Sequence, residues 1–378
     1  MSKNHELNLK ELQALLASKN ALWQAGESTN AQLPDEQKEK NLGYVPGPGE
    51  PSLRERENIS LANLSAIKTE AFGISAIPAF YDWRNHNGNN YVTPIRNQGG
   101  CGSCVAFGSI ANMETTYQIL KNNPKSGIDF SEAQLFYCYA RSQGRVCGFH
   151  HESNAGWWVG PAMDSLKQGI SDESCYPYDG SMDQNCTHLC SDSASRSKKI
   201  SGWHAITNIN DMKTWIATKG PLTTCFTVYS DFYYNYTSGI YHYMSGTVVG
   251  GHCVCVVGYS DADNGYWICK NSWGTGWGES GYFCIGFGQA GIDATMWAID
   301  GIVDEGWLYN KSVGGLWAIA QNRNAWAYIN GEGWKKISTE NDNIFYNMLS
   351  QLISAKASGK TVSVYISYGI IKQIYVNN

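Results

Sequence analysis

The stretch Asn97-Gln98-Gly99-Gly100-Cys101-Gly102-Ser103-Cys104 runs straight into an apolar pattern that predicts a helix over residues 103–120. That places one cysteine in the first turn of a helix, where unpaired backbone N–H groups and the helix dipole favour a thiolate, the nucleophilic form. A thiolate is held further by a nearby imidazolium, and His252 can supply one: it follows Gly250-Gly251 and opens an apolar run, residues 253–259, that predicts a buried strand. Asn271, in Lys270-Asn271-Ser272-Trp273-Gly274, can accept a hydrogen bond from the second imidazole N–H and so fix the ring's tautomer and orientation. Each item alone has a plainer reading. Cys101 and Cys104 could form a redox pair or half a zinc site, but no second pair at metal-ligand spacing follows. A single histidine beside an apolar strand is often structural, and Asn-Ser-Trp-Gly alone is a turn. The combination carries the argument.

The elements that must position these residues come from a chain of 378 residues, long enough for two or three packing units. Its net charge of -5 and lack of a basic cluster make nucleic acid a poor partner. Twelve cysteines, scattered singly, predict disulfides and an oxidising compartment; the alternative is a cytosolic protein with reduced thiols. No run approaches the roughly 18 apolar residues of a membrane span, and the first twenty residues have no signal-peptide core, so an export signal is expected to have been removed. Residues 1–76 contain no cysteine, are rich in Lys, Glu, Asn and Ser, and break at the Gly- and Pro-rich residues 43–49. Short helices are predicted there at 7–16 and 60–67, with too few apolar residues for a core of their own. From Tyr81 to about Gly301 an α-rich half precedes a β-rich half that includes a strand at 266–269. Beyond Gly314-Gly315, strands are expected at 316–320, 325–329, 362–366 and 370–376, with a helix at 344–357.

With those motifs in order, the chain resembles the papain and cathepsin family of cysteine peptidases. Residues 77–84, Ile77-Pro78-Ala79-Phe80-Tyr81-Asp82-Trp83-Arg84, resemble the family's mature N-terminus; residues 93–104 resemble its nucleophile region; residues 266–283 resemble its asparagine region almost residue for residue. The resemblance covers roughly 77–302. Residues 220–242 are similar to the cathepsin B and C branches, residues 172–190 to cathepsin X, and Ala21-Leu22-Trp23-Gln24-Ala25-Gly26 resembles a cathepsin B propeptide.

The resemblance implies a two-lobed α+β fold, one lobe helical and one a β-barrel, with the cleft between them and a propeptide across it. It implies Cys104 as nucleophile, His252 as acid/base, Asn271 as orienting group and Gln98 as an oxyanion donor beside the Cys104 N–H. Trp273 would shield the histidine–asparagine hydrogen bond from water. Gly156, Ala155, Gly251 and Thr224 would line the substrate groove; the family's usual Cys-Asn-Gly-Gly is interrupted here by residues 149–153, Ala155 replaces a glycine, and Val105 replaces an aromatic residue. Disulfides Cys101–Cys147 and Cys138–Cys186 follow the family pattern, leaving Cys175 and Cys190 as a third pair. Cys225, Cys253, Cys255, Cys269 and Cys284 fall in apolar runs and read as buried free thiols. Some cathepsins trim chain ends, and His150-His151 is a candidate receptor for a substrate carboxylate; an endopeptidase is the default.

The expected organisation is a propeptide at 1–76, a peptidase domain at 77–312 and a small accessory domain at 313–378. Residues 348–364 resemble the helix-to-strand segment of Shiga-like toxin B subunits, which implies a small OB barrel able to bind glycans, with Trp326, Tyr328 and Trp334 as stacking surfaces; the rival is a structural cap. The resulting expectation is a zymogen that hydrolyses peptide bonds in proteins or peptides without metal or cofactor, secreted or held in a lysosome-like compartment. The alternative is a catalytically silent protein using the scaffold for binding or adhesion.

Overall fold

The computed structural model describes residues 7–70, 77–149, 152–180, 184–303, 306–319, 322–367 and 369–377. The chain divides into two compact units, 1–301 and 302–378. Along the first unit run α1 (Leu9–Ser18), β1 (Trp23–Ala25), α2 (Leu53–Glu70), β2 (Phe80–Asp82), α3 (Cys104–Leu120), α4 (Val159–Leu166), α5 (Ser193–Arg196), β3 (Lys199–Ile206), α6 (Ile209–Thr218), β4 (Leu222–Tyr229), α7 (Ser230–Asn235), β5 (Tyr236–Tyr241), β6 (Val248–Ser260), β7 (Tyr266–Lys270), β8 (Tyr282–Gly286) and β9 (Met296–Val303).

Helix α3 is buried nearly all round, including polar residues such as Asn112, Glu114 and Thr116. It is therefore a central helix with its polar groups paired inside: the Asn112 amide donates to the Trp297 carbonyl and the Thr223 hydroxyl. The nine strands form one sheet, ordered β1-β5-β8-β7-β6-β4-β9-β3, with β2 added beside β6. Strand β6 is its axis, buried on both faces from Val249 onward, which its run of Val and Cys explains. Helix α3 crosses it so closely that a side chain at Gly108 would lie 3.2 Å from the Val254 backbone.

The leading segment packs into the body. Asn8 and Glu11 cap α1 reciprocally, but its buried face, Leu12 and Leu16, joins Trp23 and Leu42 in the core of the body behind it. β1 extends the main sheet by pairing with β5, Trp23 opposite Gly239. The second helix is longer than the predicted 60–67, beginning at Leu53. Its first turns carry charges in place of an apolar stripe, so periodicity could not reveal them.

The second unit contains β10 (Gly306–Lys311), β11 (Val313–Ala318), β12 (Ala325–Ile329), β13 (Gly333–Ile337), α8 (Asp342–Ser358), β14 (Val362–Ser367) and β15 (Ile370–Val376). Its sheet order is β10-β14-β15-β13-β12-β11. Strands β10 and β11 are successive halves of one run broken at Ser312, so the strand order begins and ends on the same stretch of chain. Asn341 caps the start of α8 and Gly359, left-handed at φ 67°, ends it. Phe345, Met348, Leu352 and Ala355 of that helix fill the interior with Ala327, Ile329, Val364 and Ile371. The expected boundary at 312/313 is corrected to 301/302, because Gly306–Lys311 pairs with β14.

Having its own core, the fragment 302–378 is expected to unfold cooperatively when expressed alone, with Leu352→Ala lowering its stability by about 2–5 kcal/mol. Urea denaturation followed by circular dichroism checks this; a broad, non-cooperative melt would contradict it.

Candidate active site

Cys104 opens α3, and Ser103 before it uses its hydroxyl on Tyr178 Oη at 2.8 Å, fixing the turn that feeds the helix. His252 stands on β6 and Asn271 follows the end of β7. His252 Nε2 donates to Asn271 Oδ1 at 2.7 Å, while Nδ1 has no hydrogen-bond partner. The Trp273 ring lies 4.4 Å from the imidazole, centroid to centroid, and covers that bond. Cys104 receives backbone N–H groups from Cys253, next to His252, and from Gly43 of the leading segment. The thiol therefore lies against the main chain of β6 one residue from His252, with no hydrogen bond joining it to the imidazole.

Gln98 is wholly buried; its amide donates to the carbonyls of Cys101 at 2.8 Å and Asn41 at 3.0 Å, and its oxygen accepts from Ser272 Oγ. Asn41 begins a stretch of leader main chain that fills the groove. The Gly43 carbonyl accepts from Trp157 N at 2.7 Å, Tyr44 N donates to the Gly251 carbonyl at 3.0 Å, and Val45 N donates to the Trp157 carbonyl at 3.1 Å. Contact is so close that a Cβ on Gly43 would sit 1.9 Å from the Gly102 carbonyl oxygen, and one on Gly156, at φ +69°, 2.3 Å from that of Gly43. Gly156 and Gly251 thus face an extended chain.

Two expected groove residues do not. Ala155 packs toward Gly148 within its own loop, and its carbonyl accepts from Arg145. Thr224 spends its hydroxyl on the Ile292 and Thr295 carbonyls, bracing the loop before β9 against β4. Val105 is fully buried in α3. His150-His151 lies outside the described residues. The structure joins Cys101 to Cys147, Cys138 to Cys186 and Cys175 to Cys190. Of the remaining cysteines, Cys104, Cys225, Cys253, Cys255 and Cys269 are buried and Cys284 is partly so. Among the described residues the group with metal-ligand geometry is Cys175, Cys190 and Asp192, whose two sulfurs are already bonded to each other.

Sequence reasoning did not find that residues 41–45 and Arg56 occupy the groove. The glycine–proline break at 43–49 was the available signal, since only glycine allows such close passage, but it reads equally well as a linker.

Burial pushes the Cys104 thiol up to about 12, reinforced by the Cys225 thiol and partly offset by N–H groups of Cys253, Gly43 and Val105. Burial likewise pushes His252 down to about 4, against the Asn271 hydrogen bond. In the covered groove both groups are neutral.

The family model for papain family cysteine protease matches residues 77–298, more than half of the chain. The chain belongs to the papain family of cysteine peptidases. It is 34% identical over 230 residues to cathepsin B-like CP3 of Giardia intestinalis, covering 58% of this chain and 73% of that one. Cathepsin K of Gallus gallus is 34% identical over 216 residues, covering 56% and 59%. Among solved structures, digestive procathepsin L2 from Tenebrio molitor larval midgut superposes with a TM-score of 0.56 at 25% identity, covering 77% of this chain and 88% of that one. ProCathepsin B S9 from Trypanosoma congolense gives 0.58 at 21%, covering 78% and 97%. This papain-family peptidase is thus similar in fold to procathepsins.

The covered site requires a neutral His252, which gives it a pH dependence. An imidazole released to solvent protonates near the ordinary 6.5, the covered one near 4. The covered state is unpenalised above pH 6.5 and loses roughly 3 kcal/mol as pH falls to about 4. In the Cys104→Ala chain, energy transfer between dyes on the leader and the body is expected to fall over that window, with His252→Gln flattening the profile. A profile unaltered by His252→Gln would contradict the assignment.

Proposed function

We propose that the first unit is a zymogen whose leader occupies the substrate groove and that, once uncovered, it cleaves peptide bonds through a Cys104 thioester. The carrying observation is the main chain at residues 41–45. A carbonyl oxygen rests on the Gln98 amide, an N–H meets the Cys104 sulfur, and the chain pairs with Gly251 and Trp157 as an extended peptide substrate does.

With water readmitted and the leader gone, proton transfer from Cys104 to His252 Nδ1 gives a thiolate and an imidazolium. The thiolate sulfur attacks the scissile carbonyl carbon; the oxyanion is held by the Gln98 amide and the Cys104 N–H. The C–N bond breaks as His252 returns its proton to the leaving amine, leaving a thioester. Water, giving a proton to His252, attacks that thioester and frees the acid product and the thiol. Asn271 keeps the ring oriented throughout, under the Trp273 cover.

Cys104→Ala is expected to abolish peptide hydrolysis and labelling by a cysteine-directed epoxide, while Gln98→Ala lowers kcat by about 10²–10³. Excising residues 1–76 raises activity on a fluorogenic peptide. Unlabelled Cys104 in the leader-free chain, seen by mass spectrometry, would leave the silent-scaffold reading instead.

Three disulfides support an oxidising destination, outside the cell or lysosome-like; among the described residues no helix is long and apolar enough to cross a membrane. For the second unit we propose an OB-like barrel that binds glycans. Its strand order, which begins and ends on one stretch of chain and has a helix between β13 and β14, supports the architecture. Exposed Tyr328 and Trp334, 5.5 Å apart edge to face, support sugar stacking. Trp326 is only partly exposed and donates to Asn324, so it contributes less. On a glycan array the full-length Cys104→Ala chain is expected to retain at least one sugar class and Trp334→Ala to lose it; a blank array would leave the structural cap.

A further inference from the structure

The leader buries one arginine in the body of the peptidase, and what surrounds it belongs to the part that remains. Arg56, on α2, is 2% exposed. Its Nη2 donates to the carbonyls of Cys225 at 2.7 Å, Thr295 at 3.4 Å and Gly291 at 3.5 Å. Its guanidinium carbon lies 5.5 Å from the Trp297 ring and 5.5 Å from that of Tyr44. The nearby carboxylates point elsewhere: Glu57 accepts from Tyr229, and Asp293 accepts from Trp267 and Gly288. A buried guanidinium is costly unless its donors are met; here Nη2 meets three backbone carbonyls and two ring faces flank the group, while Nε is buried without a hydrogen-bond partner. Of those groups only Tyr44 leaves with the leader. Cys225, Gly291, Thr295 and Trp297 stay, and Thr224 holds the 291–295 loop in place.

This seat adjoins the nucleophile. The Cys225 carbonyl accepts the shortest hydrogen bond from Arg56, Cys225 pairs across the sheet with Cys253 beside His252, and its thiol is among the groups that raise the Cys104 thiol. We propose that the vacated seat is a substrate subsite selecting an arginine side chain, recognised by a cage of backbone carbonyls against the Trp297 ring, and that Arg56 holds it in the zymogen as a stand-in for that side chain. The inference rests on the peptidase reading above. Arginine is favoured over lysine because a planar, weakly hydrated guanidinium lies against the Trp297 ring while its terminal Nη2 reaches the carbonyls, a combination that a compact, strongly hydrated ammonium does not match. It is favoured over an isosteric apolar side chain because the carbonyls would then be buried without donors.

The test uses the full chain carrying Cys104→Ala, its leader cut away by an added protease, so that binding is read without turnover. Peptides holding Arg, Lys or norleucine at each of the three positions flanking a fixed bond are titrated by calorimetry. Arg is expected to bind at least about tenfold more tightly than norleucine, and more tightly than Lys, at one position. Trp297→Leu narrows that ratio, and Arg56→Met in the uncut chain hastens cutting of the leader. Equal affinities for Arg and norleucine at every position overturn the subsite. Arginine-selective binding with no hydrolysis by the chain carrying Cys104 would overturn the peptidase reading and leave the seat standing.

Discussion

A thiol and an imidazole hold opposite charges only where something other than themselves stabilises the separation. At the start of α3 the helix dipole and backbone N–H groups favour the thiolate, and Asn271 favours the imidazolium. Neither offsets the loss of water when a second stretch of main chain is laid over the pair. Both groups are fully buried, and the same burial pushes one up to about 12 and the other down to about 4. In the zymogen proposed above, the leader therefore does more than obstruct the groove: it removes the charge state on which the chemistry depends.

How much of this was legible follows from where each signal resides. The Cys104, His252 and Asn271 neighbourhoods are local patterns, a glycine-rich approach to a helix and glycines before an apolar strand; the structure bonds His252 to Asn271 and sets the Cys104 thiol against the main chain next to His252. Strand β6 was readable because a sheet axis buried on both faces must be apolar along its length. The start of α2 was not, because that helix presents charged residues to a groove whose partners are backbone carbonyls, which no side-chain pattern announces. Thr224 was misplaced for a related reason: its strand was right, but its hydroxyl turned to a loop near residue 292 that lies far off in sequence. Strand β13 and the early start of the second unit were missed because Gly333–Ile337 is short and Lys-rich, and Gly306–Lys311 has no fully buried residue to mark an inward face.

The leader and the body illustrate a division between contacts that need shape and contacts that need only main chain. Gly43 and Gly156 permit an approach any side chain would forbid, while the pairing itself uses carbonyls and N–H groups common to every peptide. Such a groove accepts many chains along its floor. Discrimination is left to the few places where a side chain is enclosed.

All three disulfides fall between Cys101 and Cys190, and none ties down the sheet. The covalent stitching is thus lopsided. The wall that carries the sulfur nucleophile is fastened by bonds a thiol reagent can undo, whereas the wall that carries the imidazole relies on cohesion alone. One rim of the cleft is therefore held by covalent cross-links and the other by packing and hydrogen bonds alone.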